Sequence, residues 1–183
     1  CYGWISNFNG NFNIGTSWYI VKTNSAGNLL NEWIDTNTVS SNIPVEAVIG
    51  GNNQIFCTGY IHNPAEIMVV ALDTQCNLLW NKIIGPGIPG GIDYYPGTIA
   101  VMAPFSINIF DESGILQLYD TIYNSIWANP NDGVVALSNS FVILSNHYSD
   151  STASDVLLRK YEQGGVIVQD IRDENFTMYP NPA

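Results

Sequence analysis

The apolar run Ile67-Met68-Val69-Val70-Ala71-Leu72 is interrupted by a polar break opened by Asp73, and a second apolar run, Leu78-Leu79-Trp80, follows. This pattern limits the chain more than any other, because it occurs four times. Trp18–Leu30, Ile107–Leu116 and Val156–Ile167 repeat it, the break opening on Asn24, Asp73, Asp111 or Glu162, with Gly27, Cys76, Gly114 or Gly165 three residues later. An Asx side chain can accept a hydrogen bond from backbone two residues on, and glycine supplies the positive φ that closes a short loop. Four β-hairpins are expected.

A second kind of hairpin lies between them. Val45–Cys57 turns at Gly51-Asn52-Asn53, and Gly133–Leu144 turns at Ser138-Asn139-Ser140. The outgoing strand of the first reads Cys57-Thr58-Gly59-Tyr60-Ile61-His62-Asn63, close to Cys1-Tyr2-Gly3-Trp4-Ile5-Ser6-Asn7. Cys1 therefore falls inside a repeat, and an internal fragment is the expectation.

Two hairpins make one unit of about 40 to 50 residues, the period of propeller blades. The units read as a partial one at 1–36, full ones at 44–85 and 131–171, and a shortened one at 88–123, about three and a half blades over 1–171. Strands such as Ile67–Leu72 are apolar on both faces, as sheets stacked on both sides require. The expected fold is all-β, a partial β-propeller of four-stranded antiparallel blades. A β-sandwich is the alternative, since short strands at regular spacing suit it too. No segment has a helical period.

Composition removes several partners. With 5 Lys+Arg against 16 Asp+Glu, the net charge of -11 repels nucleic-acid phosphate and anionic headgroups. No apolar run approaches the roughly 20 residues that span a bilayer, so neither nucleic acid nor membrane insertion is expected. Three cysteines, Cys1, Cys57 and Cys76, are an odd set and argue against a disulfide framework. Cys57 reads as a small buried hydrophobe and Cys76 as a turn residue.

The repeat pattern stops after Ile171. Residues 172–175 form a charged linker, and Phe176-Thr177-Met178 leads into Tyr179-Pro180-Asn181-Pro182-Ala183. Residues 176–183 resemble the opening of the type A C-terminal sorting domain carried by cargo of the type IX secretion system, whose first strand commonly reads a hydrophobic pair and then this pentad. The resemblance implies a secreted or cell-surface protein of a Gram-negative bacterium, with Tyr179, Pro180, Asn181, Pro182 and Ala183 as sorting signal. It also implies, as partners, outer-membrane translocon or shuttle components. The hairpins look like the degenerate propeller repeats of such cargo. Ala71, Asp73 and Trp80 are also faintly similar to a quinoprotein repeat, but Cys76 replaces its glycine, and no cofactor is expected.

No catalytic, cofactor or metal set emerges. His62 and His147 lack metal spacing, and no Gly-x-Ser-x-Gly or phosphate-binding glycine string occurs. Asp73, Asp111 and Glu162 are taken up by turns, and Asp150 and Asp155 by a Ser-rich loop. The loop Asn129–Gly133 has a lone Asp132 and lacks the alternating acids of a calcium loop. Trp4, Trp18, Trp33, Trp80 and Trp127 sit at strand positions where inter-sheet packing needs bulk. The functional expectation is a non-catalytic binding or adhesion module for an extracellular glycan or protein ligand. The alternative is part of a secreted hydrolase acting on polysaccharide.

Overall fold

The computed structural model describes residues 2–4, 18–35, 41–62, 65–104, 106–121, 133–137, 140–149, 152–162 and 169–170. Sheet 1 has three strands, β1 (Tyr2–Trp4), β2 (Tyr19–Thr23) and β3 (Leu29–Ile34). Sheet 2 contains β4 (Ser41–Ile49), β5 (Ile55–His62), β6 (Glu66–Leu72) and β7 (Leu78–Pro86). In sheet 3 are β8 (Gly91–Tyr95), β9 (Thr98–Ala103), β10 (Ser106–Asp111) and β11 (Leu116–Thr121). Sheet 4 is formed by β12 (Gly133–Leu137), β13 (Ser140–Ser149), β14 (Thr152–Glu162) and β15 (Gln169–Asp170). Within every sheet the strands are antiparallel and follow chain order. Among the described residues there is no α-helix.

Period-two alternation decides how the sheets meet. In sheet 2, Ile55, Cys57, Met68, Val70 and Leu72 pack with Trp18 and Ile20 of sheet 1. The residues between them, Phe56, Val69 and Ala71, pack with Ile92, Ile99, Val101 and Phe110 of sheet 3. Sheet 3 repeats the arrangement: Ala100, Met102, Ile107 and Ile109 turn the other way, onto Val134, Phe141, Ile143 and Tyr161 of sheet 4. Sheets 2 and 3 are thus covered on both faces. A β-sandwich buries one face of each of two sheets, so that alternative is set aside. The continuous apolar runs of β6 and β9 follow from this double burial, and each fully buried aliphatic side chain stabilises by about 1.5–3 kcal/mol.

Sheets 2, 3 and 4 converge along one side. There β4 lies against β8, and β8 against β12. Each contact carries a carboxylate tie, since Glu46 Oε2 accepts from the Ile92 N–H at 3.0 Å and Asp93 Oδ2 from the Ala136 N–H at 2.6 Å. The inner edge of a sheet would otherwise present unpaired N–H groups. On the opposite side β3, β7 and β11 are the solvent-facing strands, each largely exposed or half-buried.

The unit read as shortened has its full set of strands in sheet 3. Its first hairpin joins Tyr95 to Thr98, with Pro96 presetting one corner and Gly97 taking a φ of 83° at the next.

Candidate functional site at the hairpin-turn end

Because strands alternate up and down, the loops β2–β3, β4–β5, β6–β7, β8–β9 and β10–β11 gather at one end of the row. Three of them are copies of one structure. In each, the third residue after the opening Asx donates its N–H to the Asx carbonyl: Gly27 to Asn24 and Cys76 to Asp73 at 3.0 Å, and Gly114 to Asp111 at 2.9 Å. One side-chain oxygen then accepts two further N–H groups. For Asn24 these come from Ala26 and Asn28, for Asp73 from Gln75 and Asn77, and for Asp111 from Ser113 and Ile115. Gly27, Cys76 and Gly114 all have positive φ, 82°, 61° and 81°.

These contacts set the charge state. The hydrogen bond from the Asn77 side chain, with backbone N–H groups added, holds the Asp73 carboxyl below the usual aspartate value. The Ser113 hydroxyl does the same for Asp111, helped by its backbone donors and Gln117. Both carboxylates are committed to their own loops.

The inner turn is closed by different chemistry. Asn52 and Asn53 both have positive φ, 53° and 56°, and the Gln54 N–H returns to the Gly51 carbonyl at 3.1 Å. Two successive left-handed residues match the twist of the flanking strands, and Asn tolerates them better than most. Beside this turn the Tyr94 hydroxyl donates to Glu112 Oε1 and accepts from the Gly97 N–H at 3.1 Å. Burial and the Glu112 contact push the Tyr94 hydroxyl up. A Cβ on Gly51 would lie 2.7 Å from both the Tyr94 hydroxyl and a Glu112 oxygen.

Aromatic residues fill the wedge beneath. The Tyr94 ring stacks on Phe56 at 5.9 Å, Trp80 lies 6.1 Å from Phe56 and 6.4 Å from Phe110, and Trp80 Nε1 donates to the Glu112 carbonyl at 2.9 Å. Trp18 is fully buried and Trp33 packs beside it. These aromatics hold sheets together, as their strand positions implied. Trp4 and Trp127 are not described at the side-chain level.

The thiols are equally occupied. Burial pushes Cys57 up to about 12 and raises Cys76, so both stay protonated in the core between sheets 1 and 2. Cys76 is therefore more than a turn residue: its backbone makes the turn while its side chain packs inward. Among the described residues no group of His, Cys, Asp and Glu could hold a metal ion. The sorting residues Tyr179, Pro180, Asn181, Pro182 and Ala183 lie outside the described residues, as do the turns at 138–139 and 163–168 and the loop at 129–132. The side chains of His62, His147 and Asp155 are not described either.

Sequence reasoning missed one surface feature. Two residues beyond each positive-φ position stands an exposed leucine: Leu29, Leu78 and Leu116, at 56%, 45% and 49% of full exposure. Leu30, Leu79 and Ile115 lie beside them and are also exposed. The signal was present in the repeat alignment, but an apolar residue on a strand reads by default as core.

No protein-family model matches the sequence, and no curated protein matches it. Among solved structures the chain is similar to the C-terminal WD40 domain of Sif2, with a TM-score of 0.51 and 12% identity. The match covers 85% of this chain and 56% of that one, so the chain spans little more than half of the domain's length. At that identity the likeness concerns the fold alone. Together with the four antiparallel sheets it defines a β-propeller-like repeat protein.

Proposed function

We propose that the chain is part of a secreted, cell-surface β-propeller delivered by the type IX secretion system, and that it is a non-catalytic binding or adhesion module. The observation that carries the binding reading is the recurrence of Leu29, Leu78 and Leu116 beside stiff turns. Exposed apolar groups repeated at one position of successive sheets form an interaction rim, and the self-tied loops hold that rim with little entropy left to lose. An extracellular protein surface suits it better than a glycan, because Trp18, Trp80 and Tyr94 are engaged in packing. Export rests on the resemblance of 176–183 to a sorting-domain opening, and the partners there are outer-membrane translocon or shuttle components.

A surface-protein array and a glycan array probed with the chain test the first part. Retention on protein spots, lost in the triple variant Leu29→Glu, Leu78→Glu, Leu116→Glu without a fall in thermal midpoint, supports the module. Turnover of a polysaccharide by the wild-type chain would overturn it. For export, replacing Pro180 and Pro182 by alanine in the full-length protein should leave it in the periplasm. Undiminished surface delivery would refute that part.

A further inference from the structure

Sheets 2 and 3 are packed on both faces by their neighbours, so what they expose at the hairpin-turn end belongs to their own loops. Two apolar rows stand there. On the outer side Leu78 follows the Asp73 turn and Leu116 the Asp111 turn, each with an exposed apolar neighbour. On the inner side Ile49, the last residue of β4, is exposed, and Tyr95, the last of β8, is half-buried.

The loops that carry these rows are acidic. Asp73 opens one, and Asp111 and Glu112 open the other, Glu112 reaching inward to the Tyr94 hydroxyl beside the Gly51 turn. Their side-chain partners are neutral donors: Asn77 Nδ2 for Asp73 at 2.9 Å, Gln117 Nε2 for Asp111 at 2.9 Å, and a hydroxyl for Glu112. A neutral donor leaves the negative charge in place. Two cations lie nearby, each crossing to the next sheet. Lys22 Nζ donates to the Thr74 carbonyl at 2.7 Å and adds its field to Asp73, and the Lys82 stem lies along Gly114, its Cε 3.0 Å from where a Cβ would stand. Among the described residues neither makes an ion pair with the three acids.

Charge sorts the occupants of such a surface. At a net charge of -11 a second copy of the chain is repelled, and so is an acidic protein. A neutral apolar partner would strip water from three carboxylates and return nothing. A partner with ammonium or guanidinium groups offsets that cost, and it is steered to the surface as it approaches.

We propose that the occupant of this face is a basic protein segment in which Lys or Arg side chains stand between large apolar ones. The apolar groups cover Leu78, Leu116 and Ile49, and the cations meet Asp73, Asp111 and Glu112. This inference rests on the reading of the leucine rim as a binding surface and adds the kind of partner that it recognises.

The test uses the full 183-residue chain and fluorescein-labelled synthetic peptides that alternate Leu with Lys, Leu with Glu, or Ser with Lys. The Leu/Lys peptide should bind saturably, and about tenfold more weakly when salt rises from about 0.1 M to about 1 M. The other two peptides should bind far less. Asp73→Asn with Asp111→Asn, which keeps loops that Asn24 already closes with an amide, should weaken Leu/Lys binding about tenfold at an unchanged thermal midpoint. No saturable binding of the Leu/Lys peptide, equal binding of either other peptide, or indifference to salt overturns the proposal. The neutral variant Leu78→Ser with Leu116→Ser separates the two readings. Binding that needs these leucines and ignores charge refutes the basic partner alone, whereas binding that survives their loss refutes the rim itself.

Discussion

The interface between sheets 1 and 2 and that between sheets 2 and 3 occupy the same place in the repeat and are built from different chemistry. In the first, Lys22 Nζ donates to the Thr74 carbonyl at 2.7 Å. In the second, Trp80 Nε1 donates to the Glu112 carbonyl at 2.9 Å. Thr74 and Glu112 are the same residue of the turn, the one after the Asx. The positive-φ residue two places on is Cys76 in one interface, its side chain packed in the core, and Gly114 in the other. A Cβ on Gly114 would lie 2.9 Å from the Trp80 ring. What the architecture needs is a carbonyl aimed at the preceding sheet and a residue that accepts left-handed backbone. The donor and the filler are exchangeable.

The largest expected effect comes from forcing a side chain onto Gly114. Gly114→Val combines left-handed strain with overlap against Trp80 and should cost about 3 kcal/mol in urea unfolding. A loss below about 1 kcal/mol would mean that the bare Cα is not what seats the indole. Next come the two ties. Trp80→Phe keeps the ring and removes its N–H, at about 1 kcal/mol, whereas Lys22→Met removes a half-buried ammonium and should cost less, about 0.5 kcal/mol. The reverse order would show the cation to be the stronger tie. Cys76→Gly loses a buried thiol and relieves backbone strain, so stability should move by no more than about 1 kcal/mol either way.

The smallest effect at neutral pH separates the turns by charge. Asp73 and Asp111 have folded-state values below their unfolded ones. Their contribution is present above the ordinary aspartate value and is lost as the pH falls through the lowered one. The Asn24 turn has no such dependence. In an acid titration of unfolding free energy, Asp73→Asn with Asp111→Asn should flatten the slope below about pH 4. An unchanged slope would assign acid lability to other carboxylates.

Much of the architecture was legible in residues because turn chemistry is local. Asn24, Asp73 and Asp111 announced loops whose hydrogen bonds close within four residues, and the apolar runs Ile67–Leu72 and Ile107–Phe110 announced strands covered on both faces. Sheet 3 was harder to read because Pro96 and Gly97 make a turn with no Asx, so its first hairpin lacked the marker that the others carry. Ties between sheets were not legible at all. Glu46, Asp93 and Lys22 look like ordinary surface charges until the register brings each one to a neighbour's backbone. For the leucine rim, periodicity gives no warning, since an outer strand shows solvent the same alternation that an inner strand shows the core.

One consequence follows from every sheet being a run of consecutive strands. The ties between sheets join residues 32 to 52 positions apart, so each reaches only into the next sheet along the chain. Wiring confined to the next sheet along the chain lets structure grow in order as the polypeptide emerges from the ribosome, each finished hairpin pair serving as the template on which the following one condenses.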